Sequence, residues 1–387
     1  MNIAFISREL LGLNKNGGIG TAVTHACEHF AHRREFHVHV YYTGRPRLGM
    51  MDCAKKLRSV GVAVHFMPWL LNLALGYKQR AWHTYLALRN TRHDVYIFHD
   101  FMADGFFCFQ AKSKADAFKG AKLGIVTHGS SEWVDEGNGC SAPNKKRQQL
   151  YAMEQECCER ADFLVSPSEY LAEWMRGRNW KLPNICQCIG NFRSPPPDAD
   201  TPICPKELAP SVIKELVFFG RLEERKGIRV FCDALAMLPL ELLAGRTVTF
   251  LGKEDHYSVK SIRSLLGPIV RQSNVKLVFF PRYDSLEARN YLNRDGVLAI
   301  MPSLSENSPC VVNECLSGGI PFIASSVGGG KELILKEDRE RAICTPQKDI
   351  LAERLSRILT VEGIQAARPA RSQAALYEDW KALLLEG

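Results

Sequence analysis

No apolar run in this 387-residue chain is long enough to cross a bilayer: the nearly uncharged apolar run Met67 to Tyr77 is about half of the ~20 residues a spanning helix needs. A basic lead, a long apolar segment and a small-residue cleavage site are all missing after Met1. The opening Asn2-Ile3-Ala4-Phe5-Ile6-Ser7 therefore reads as a strand, and the protein is expected in the cytoplasm. None of the 13 cysteines stands in a CxxC pair, and an odd number scattered over the chain suggests neither a zinc ribbon nor a disulfide framework. Free thiols follow. The GxGxxG spacing of a dinucleotide-binding fingerprint also fails, because the glycines after the first strand run Asn16-Gly17-Gly18-Ile19-Gly20. A hydrophobic share of 46% with 24% charged residues excludes disorder, collagen-like repeats and coiled coil.

What is present starts with length, which sets two domains or one large α/β domain. Proline crowds Asn191-Phe192-Arg193-Ser194-Pro195-Pro196-Pro197-Asp198 and recurs at Pro202, Pro205 and Pro210, a density at which neither helix nor sheet continues. Residues 191–210 are expected to link a domain at 1–190 to one at 211–365. In each, short β-like runs alternate with helical patterns, the signature of a parallel sheet covered on both faces. Strands are expected at 3–7, 38–42, 62–66, 95–99, 123–127 and 163–166, then at 216–219, 248–251, 275–279, 296–301 and 321–324. The clearest helix, 19–33, places Ile19, Val23, Ala26, Cys27 and Phe30 on one face. The fold class is thus α/β, two Rossmann-like doubly wound parallel sheets facing across a cleft, with ligands at the carboxyl ends of the strands. After the break at Ala367-Arg368-Pro369, the segment 366–387 carries a last helix, about 372–385, free to leave the second sheet and cross back to the first domain.

The net charge of +8 is unevenly placed: residues 1–190 hold 24 Lys/Arg against 17 Asp/Glu, and the rest 26 against 25. Between Arg33 and Arg92, eleven Lys/Arg face only Glu35 and Asp52, with Phe66-Met67-Pro68-Trp69-Leu70-Leu71 among them. That composition suits an anionic membrane surface, and equally a packed strand end with a solvated basic rim. No recognition motif accompanies the charge, so nucleic acid is not an expected partner.

Four segments carry chemistry. Met301-Pro302-Ser303-Leu304-Ser305-Glu306-Asn307-Ser308-Pro309 precedes a short helix, expected at 309–317 with Ser308 as N-cap, Pro309 at the first helical position and Gly318 as the left-handed stop. The amides near Cys310, Val311 and Val312 would favour a phosphate. Glu306 and Glu314 would flank that anion as acceptors for sugar hydroxyls, which suits a nucleotide sugar; taken singly, they read equally well as a loop charge and a solvated helix face. Gly220-Arg221-Leu222-Glu223-Glu224-Arg225-Lys226-Gly227 puts cations at the end of another strand, where Arg221 and Lys226 would neutralise a diphosphate. Gly17 and Gly18 would let backbone approach a ligand, and His128 in Thr127-His128-Gly129 closes a strand.

Together these residues resemble glycosyltransferase family 4, retaining GT-B enzymes, over nearly the whole chain. The glycine loop at Gly17-Gly18-Ile19-Gly20, His128, Gly220-Arg221 with Lys226-Gly227, and glutamates seven residues apart at Glu306 and Glu314 match the family's motifs in order. Val165-Ser166-Pro167-Ser168-Glu169 and Gly328-Gly329-Gly330 before Glu332 add to the match. The resemblance implies that Glu306 contacts the donor hexose, Glu314 holds the ribose hydroxyls, Arg221 and Lys226 stabilise the departing diphosphate, and His128 touches the transferred sugar. Asn307, Ser308, Cys310 and Val311 would complete the donor pocket. The chain departs from the family where Asn307-Ser308-Pro309 replaces the common Gly-Phe-Gly, since Pro309 has no N–H for a sugar hydroxyl.

What this implies is a hexosyltransferase without metal or other cofactor, moving glucose from UDP-glucose, with retention, to a glycan or lipid-linked saccharide in bacterial exopolysaccharide or envelope polysaccharide assembly. It would work in the cytoplasm, peripheral to the inner face of the membrane. A different donor (GDP-mannose, UDP-GlcNAc), sugar-nucleotide epimerisation and a non-catalytic nucleotide-sugar-binding protein stay open as alternatives, the last favoured by the Asn307-Ser308-Pro309 departure.

Overall fold

The computed structural model describes residues 1–13, 18–45, 47–67, 76–100, 102–114, 117–140, 142–193 and 205–385. Two compact units result: Met1–Ala199 with Gln373–Gly387, and Asp200–Ser372. Most of the proline-rich 191–210 segment, and Trp69 to Leu71 of the basic apolar stretch, lie outside the described residues.

Unit 1 carries β1 (Asn2–Ser7), β2 (His37–Tyr42), β3 (Ala63–Phe66), β4 (Val95–Asp100), β5 (Lys122–Thr127), β6 (Phe163–Ser166) and β7 (Ile185–Cys188), in the order β3-β2-β1-β4-β5-β6-β7 with all pairs parallel. Unit 2 carries β8 (Glu207–Leu208), β9 (Glu215–Phe219), β10 (Thr247–Leu251), β11 (Lys276–Phe280), β12 (Val297–Met301), β13 (Phe322–Ser325), β14 (Ile343–Cys344) and β15 (Ile364–Gln365). Its main sheet runs β11-β10-β9-β12-β13-β14, again parallel, while β8 and β15 form a small antiparallel pair.

Helices on both faces explain the sequence of the strands. All five residues of β9 and of β12 are buried, and beyond Glu215 both read as continuous apolar runs with no polar alternation. Within β9, Leu216 and Phe218 join one core while Val217 and Phe219 join the core across the sheet. Strand order reverses between β1 and β4 in unit 1 and between β9 and β12 in unit 2, which places a ligand crevice beyond the carboxyl ends of those pairs. Register keeps the ends flush: Leu216 pairs Leu298 and Phe218 pairs Ile300.

The short helix after β12 differs from expectation by one residue. It runs Cys310–Gly318, with Pro309 rather than Ser308 at the N-cap, held extended (φ −67°, ψ 119°). Gly319, at φ 57°, takes the left-handed stop assigned to Gly318, and Ile320 N–H closes on Cys315 O at 3.0 Å. Strands β7, β8, β14 and β15 were not expected. β7 is largely exposed and the others span two residues each, so none carries a buried apolar pattern.

The last helix, Gln373–Leu385, belongs to unit 1. Leu376, Tyr377, Trp380, Leu383 and Leu384 form its buried stripe and enter the core of Phe5, Phe30 and Ile97. Trp380 meets Phe30 edge-on at 5.9 Å, Arg33 lies 4.5 Å over Tyr377, and Arg193 N–H donates to Gln373 Oε1 at 2.9 Å. Among the described residues no helix is long and apolar enough to cross a membrane.

All six tryptophans lie in unit 1, so their fluorescence follows that unit alone. Trp380→Ala is expected to cost unit 1 about 3–5 kcal/mol by cavity formation. Urea titration should move the fluorescence transition to lower denaturant and leave hydrogen exchange in β9 to β12 unchanged; equal loss in both sheets would refute this.

Candidate active site

In unit 2 the loops after β9 and β12 meet at the reversal point. Gly227 sits at φ 74°, and a Cβ there would strike the carbonyl of Pro302, so only glycine brings the two loops this close. Gly328, at φ 83°, plays the same part for the loop after β13: a Cβ would strike the Glu306 carbonyl, which accepts instead from Gly329 N–H at 3.1 Å.

These approaches enclose a charge cluster. Glu306, 7% exposed, forms an ion pair through Oε1 with Lys226 Nζ and accepts from Ser303 Oγ at 3.1 Å. Its Oε2 lies 3.7 Å from Arg225 Nη1. Arg225 is itself buried, donating to Ser305 O and to Glu223 Oε1, both at 2.9 Å. Burial alone would raise the Glu306 pKa, but Lys226, Arg225 and the hydrogen bonds from Lys226 and Ser303 outweigh it and hold the carboxyl below its ordinary value. Two cations balance two carboxylates here. Arg221, half-exposed and 3.7 Å from Glu223 and 3.9 Å from Asp255, is the cation that reaches solvent.

Glu306, Ser303, Pro309, Val311, Val312 and Gly330 line a small pocket beside this cluster. Asn307 is buried next to it, and Ser308 and Cys310 lead into the helix. The Val312 amide, expected to be open to an anion, is taken by Pro309 O at 3.1 Å. Glu314, a turn further on and half-buried, accepts from Ser285 Oγ at 2.8 Å. Burial raises its pKa to about 7 against the pull of Ser285 and Arg289.

Of the expected site residues, Lys226 and Glu306 touch, and Glu306 and Val311 share a pocket. His128 and Gly18 belong to unit 1, and Gly17 lies outside the described residues. Gly18 opens the helix Gly18–Ala31. His128 stacks on His99 at 5.1 Å, with His128 Nε2 and His99 Nδ1 2.8 Å apart. Burial lowers the His128 pKa to about 4, so at neutral pH the ring is uncharged and offers a hydrogen bond rather than a cation. Sequence reasoning missed Arg225, Ser303, Ser285 and His99. Arg225 had a signal, its place in the same cationic run; the others had none. Among the described residues no group of His, Cys, Asp or Glu could hold a metal ion.

Residues 16–185 match the family model Glycosyltransferase Family 4, and residues 213–361 match Glycosyl transferases group 1. No curated protein matches the sequence. Similar solved structures include sucrose-phosphate synthase from Thermosynechococcus elongatus (17% identity, TM-score 0.63, 100% of this chain and 96% of that one). HepE from Anabaena in complex with UDP and glucose is 18% identical (TM-score 0.60, 98% and 95%). WaaG, a glycosyltransferase involved in lipopolysaccharide biosynthesis, is 15% identical (TM-score 0.58, 100% and 100%). At these identities the likeness is one of fold, a pair of parallel-sheet Rossmann-like domains.

Lys226→Met is expected to destabilise unit 2 by up to about 3–5 kcal/mol, since it takes the nearer of two cations from a buried carboxylate, and adding Glu306→Leu should recover much of that. Far-UV circular dichroism in urea reads it, with tryptophan fluorescence unmoved. Because the Glu306 pKa is depressed, its contribution is present above the ordinary carboxylate range and lost only as pH falls through the depressed value. A double variant no more stable than Lys226→Met would overturn the pairing.

Proposed function

The chain belongs to glycosyltransferase family 4, with the GT-B fold, and from that premise we propose that it moves a hexose, glucose from UDP-glucose, onto a saccharide or lipid-linked saccharide with retention of anomeric configuration. The buried Arg225-Lys226-Glu306 cluster at the strand reversal, with Arg221 beside it, carries this reading. In the proposed reaction the bond from the anomeric carbon to the diphosphate breaks, the acceptor oxygen bonds to the same face, and the acceptor's proton passes to the leaving phosphate oxygen. Arg221, Lys226 and the helix amides at Cys310 and Val311 take up the charge that develops on the diphosphate, with no metal required by the scheme. Glu306 accepts from a hexose hydroxyl, Glu314 from the ribose hydroxyls, and neutral His128 meets the transferred sugar from the first unit.

HepE, solved with UDP and glucose, supports the choice of donor, and WaaG, of lipopolysaccharide biosynthesis, supports an envelope polysaccharide pathway. Exposed Leu48 and Met51 beside Lys55 and Lys56 support contact with an anionic membrane; flotation with phosphatidylglycerol vesicles, reduced in Met51→Glu, reads that contact.

Glu314 generates a pH prediction. UDP-glucose has no phosphate group titrating between pH 6 and 8, so any change in affinity there belongs to the protein. Ionisation of Glu314 through about 7 lets it accept from both ribose hydroxyls. Calorimetry should show affinity rising about tenfold from pH 6 to pH 8, and Glu314→Gln should bind weakly at both; a flat wild-type profile would remove Glu314 from the donor site. Product NMR should show an α-linked sugar from the α-linked donor, and Arg221→Ala should lower kcat by about 10²–10³. An inverted product, or full turnover without Arg221, counts against the mechanism.

A further inference from the structure

Unit 1 has its own strand reversal, between β1 and β4, and arginines gather there. Arg8 directly follows β1, Arg45 lies just beyond β2, and Arg80 sits in the first turn of the helix Tyr77–Leu88. Asp104 follows β4. It is 8% exposed; its Oδ2 accepts from Thr43 Oγ1 at 2.6 Å and lies 3.6 Å from Arg8 Nε. Arg80 is within electrostatic reach of Arg8, Asp104 and Arg45. The loop after β2 is pressed onto Arg8, since a Cβ on Gly44 would strike the Arg8 carbonyl. Glu9 Oε2 accepts from the Gly20 amide at 3.4 Å.

Charge and hydrogen bonding are both left incomplete here. Arg8 and Arg80 lie within electrostatic reach of Asp104, and the exposed Arg45 within that of Arg80. Arg8 Nη1 and Arg80 Nε are buried with no acceptor, and Asp104 Oδ1 is buried with no donor. Buried polar atoms without partners are costly, so a group that supplies them is favoured. Two unmatched positive charges suit a phosphate monoester, which carries nearly two negative charges and three acceptor oxygens at neutral pH, better than a single carboxylate. The open Asp104 oxygen calls for a hydroxyl donor.

We propose that Arg8, Arg45, Arg80 and Asp104 form a subsite for a phosphorylated saccharide, with the arginines on the phosphoryl group and Asp104 on a hydroxyl. Reading that ligand as the acceptor rests on the glycosyltransfer proposed above; the subsite itself rests on unit 1.

Glucose 6-phosphate is the probe, titrated calorimetrically with and without saturating UDP. Binding at millimolar or lower concentration is expected in both, with glucose alone not binding. Arg8→Gln and Arg80→Gln should each weaken it at least tenfold, Arg80→Lys less so, with UDP affinity unchanged. No binding of glucose 6-phosphate, or equal binding by Arg80→Gln, would overturn the subsite. Failure of UDP to bind tells against the donor site alone and leaves the UDP-free titrations to decide. Phosphatidylglycerol vesicles serve as a second arm: flotation indifferent to Arg80→Gln supports the saccharide, whereas flotation that falls with it would overturn that assignment in favour of a lipid headgroup.

Discussion

A carboxylate stays ionised inside a protein when cations and hydrogen-bond donors are built in beside it, and the ionisation of Glu306 organises the loops around it. Lys226 and Arg225 reach it from a different strand, which requires two loops to lie against each other. That closeness needs glycine at 227, with another at 328 to seat the third loop. The parallel sheet supplies the starting point, because strands that end flush deliver their loops to one place.

Protonation then divides the ionisable groups by environment. Glu306 is held ionised by its neighbours, Glu314 is poised near neutrality by burial without a directly bonded cation, and His128 in the other unit is kept neutral by burial against a second imidazole. Chemically similar side chains are thereby given different hydrogen-bonding behaviour at one pH.

How far the sequence carries one depends on whether the signal is local. Strands such as Leu216-Val217-Phe218-Phe219 were legible because burial on both faces leaves a continuous apolar run. β7 was not, since its residues are exposed and resemble a loop. In the site, Lys226, Glu306 and Glu314 stood out by residue type and spacing, but the ion pair joins positions 80 residues apart and no pattern announces it. Arg225 lies beside Lys226 in a run that invites a solvated reading, and only the loop's turn inward buries it. The one-residue shift of the helix at Cys310 shows a similar limit: Pro309 fixes φ but not ψ, and its extended ψ puts it outside the helix.

The placement of the helix Gln373–Leu385 has a consequence for biosynthesis. A ribosome delivers unit 2 in full before it delivers the side chains that close the core around Phe30. The first unit to be started is thus the last to be finished. Until Trp380 and Leu383 emerge, Phe5, Phe30 and Ile97 lack part of their cover, and the nascent chain exposes an apolar surface to which a chaperone or another unfinished copy can bind.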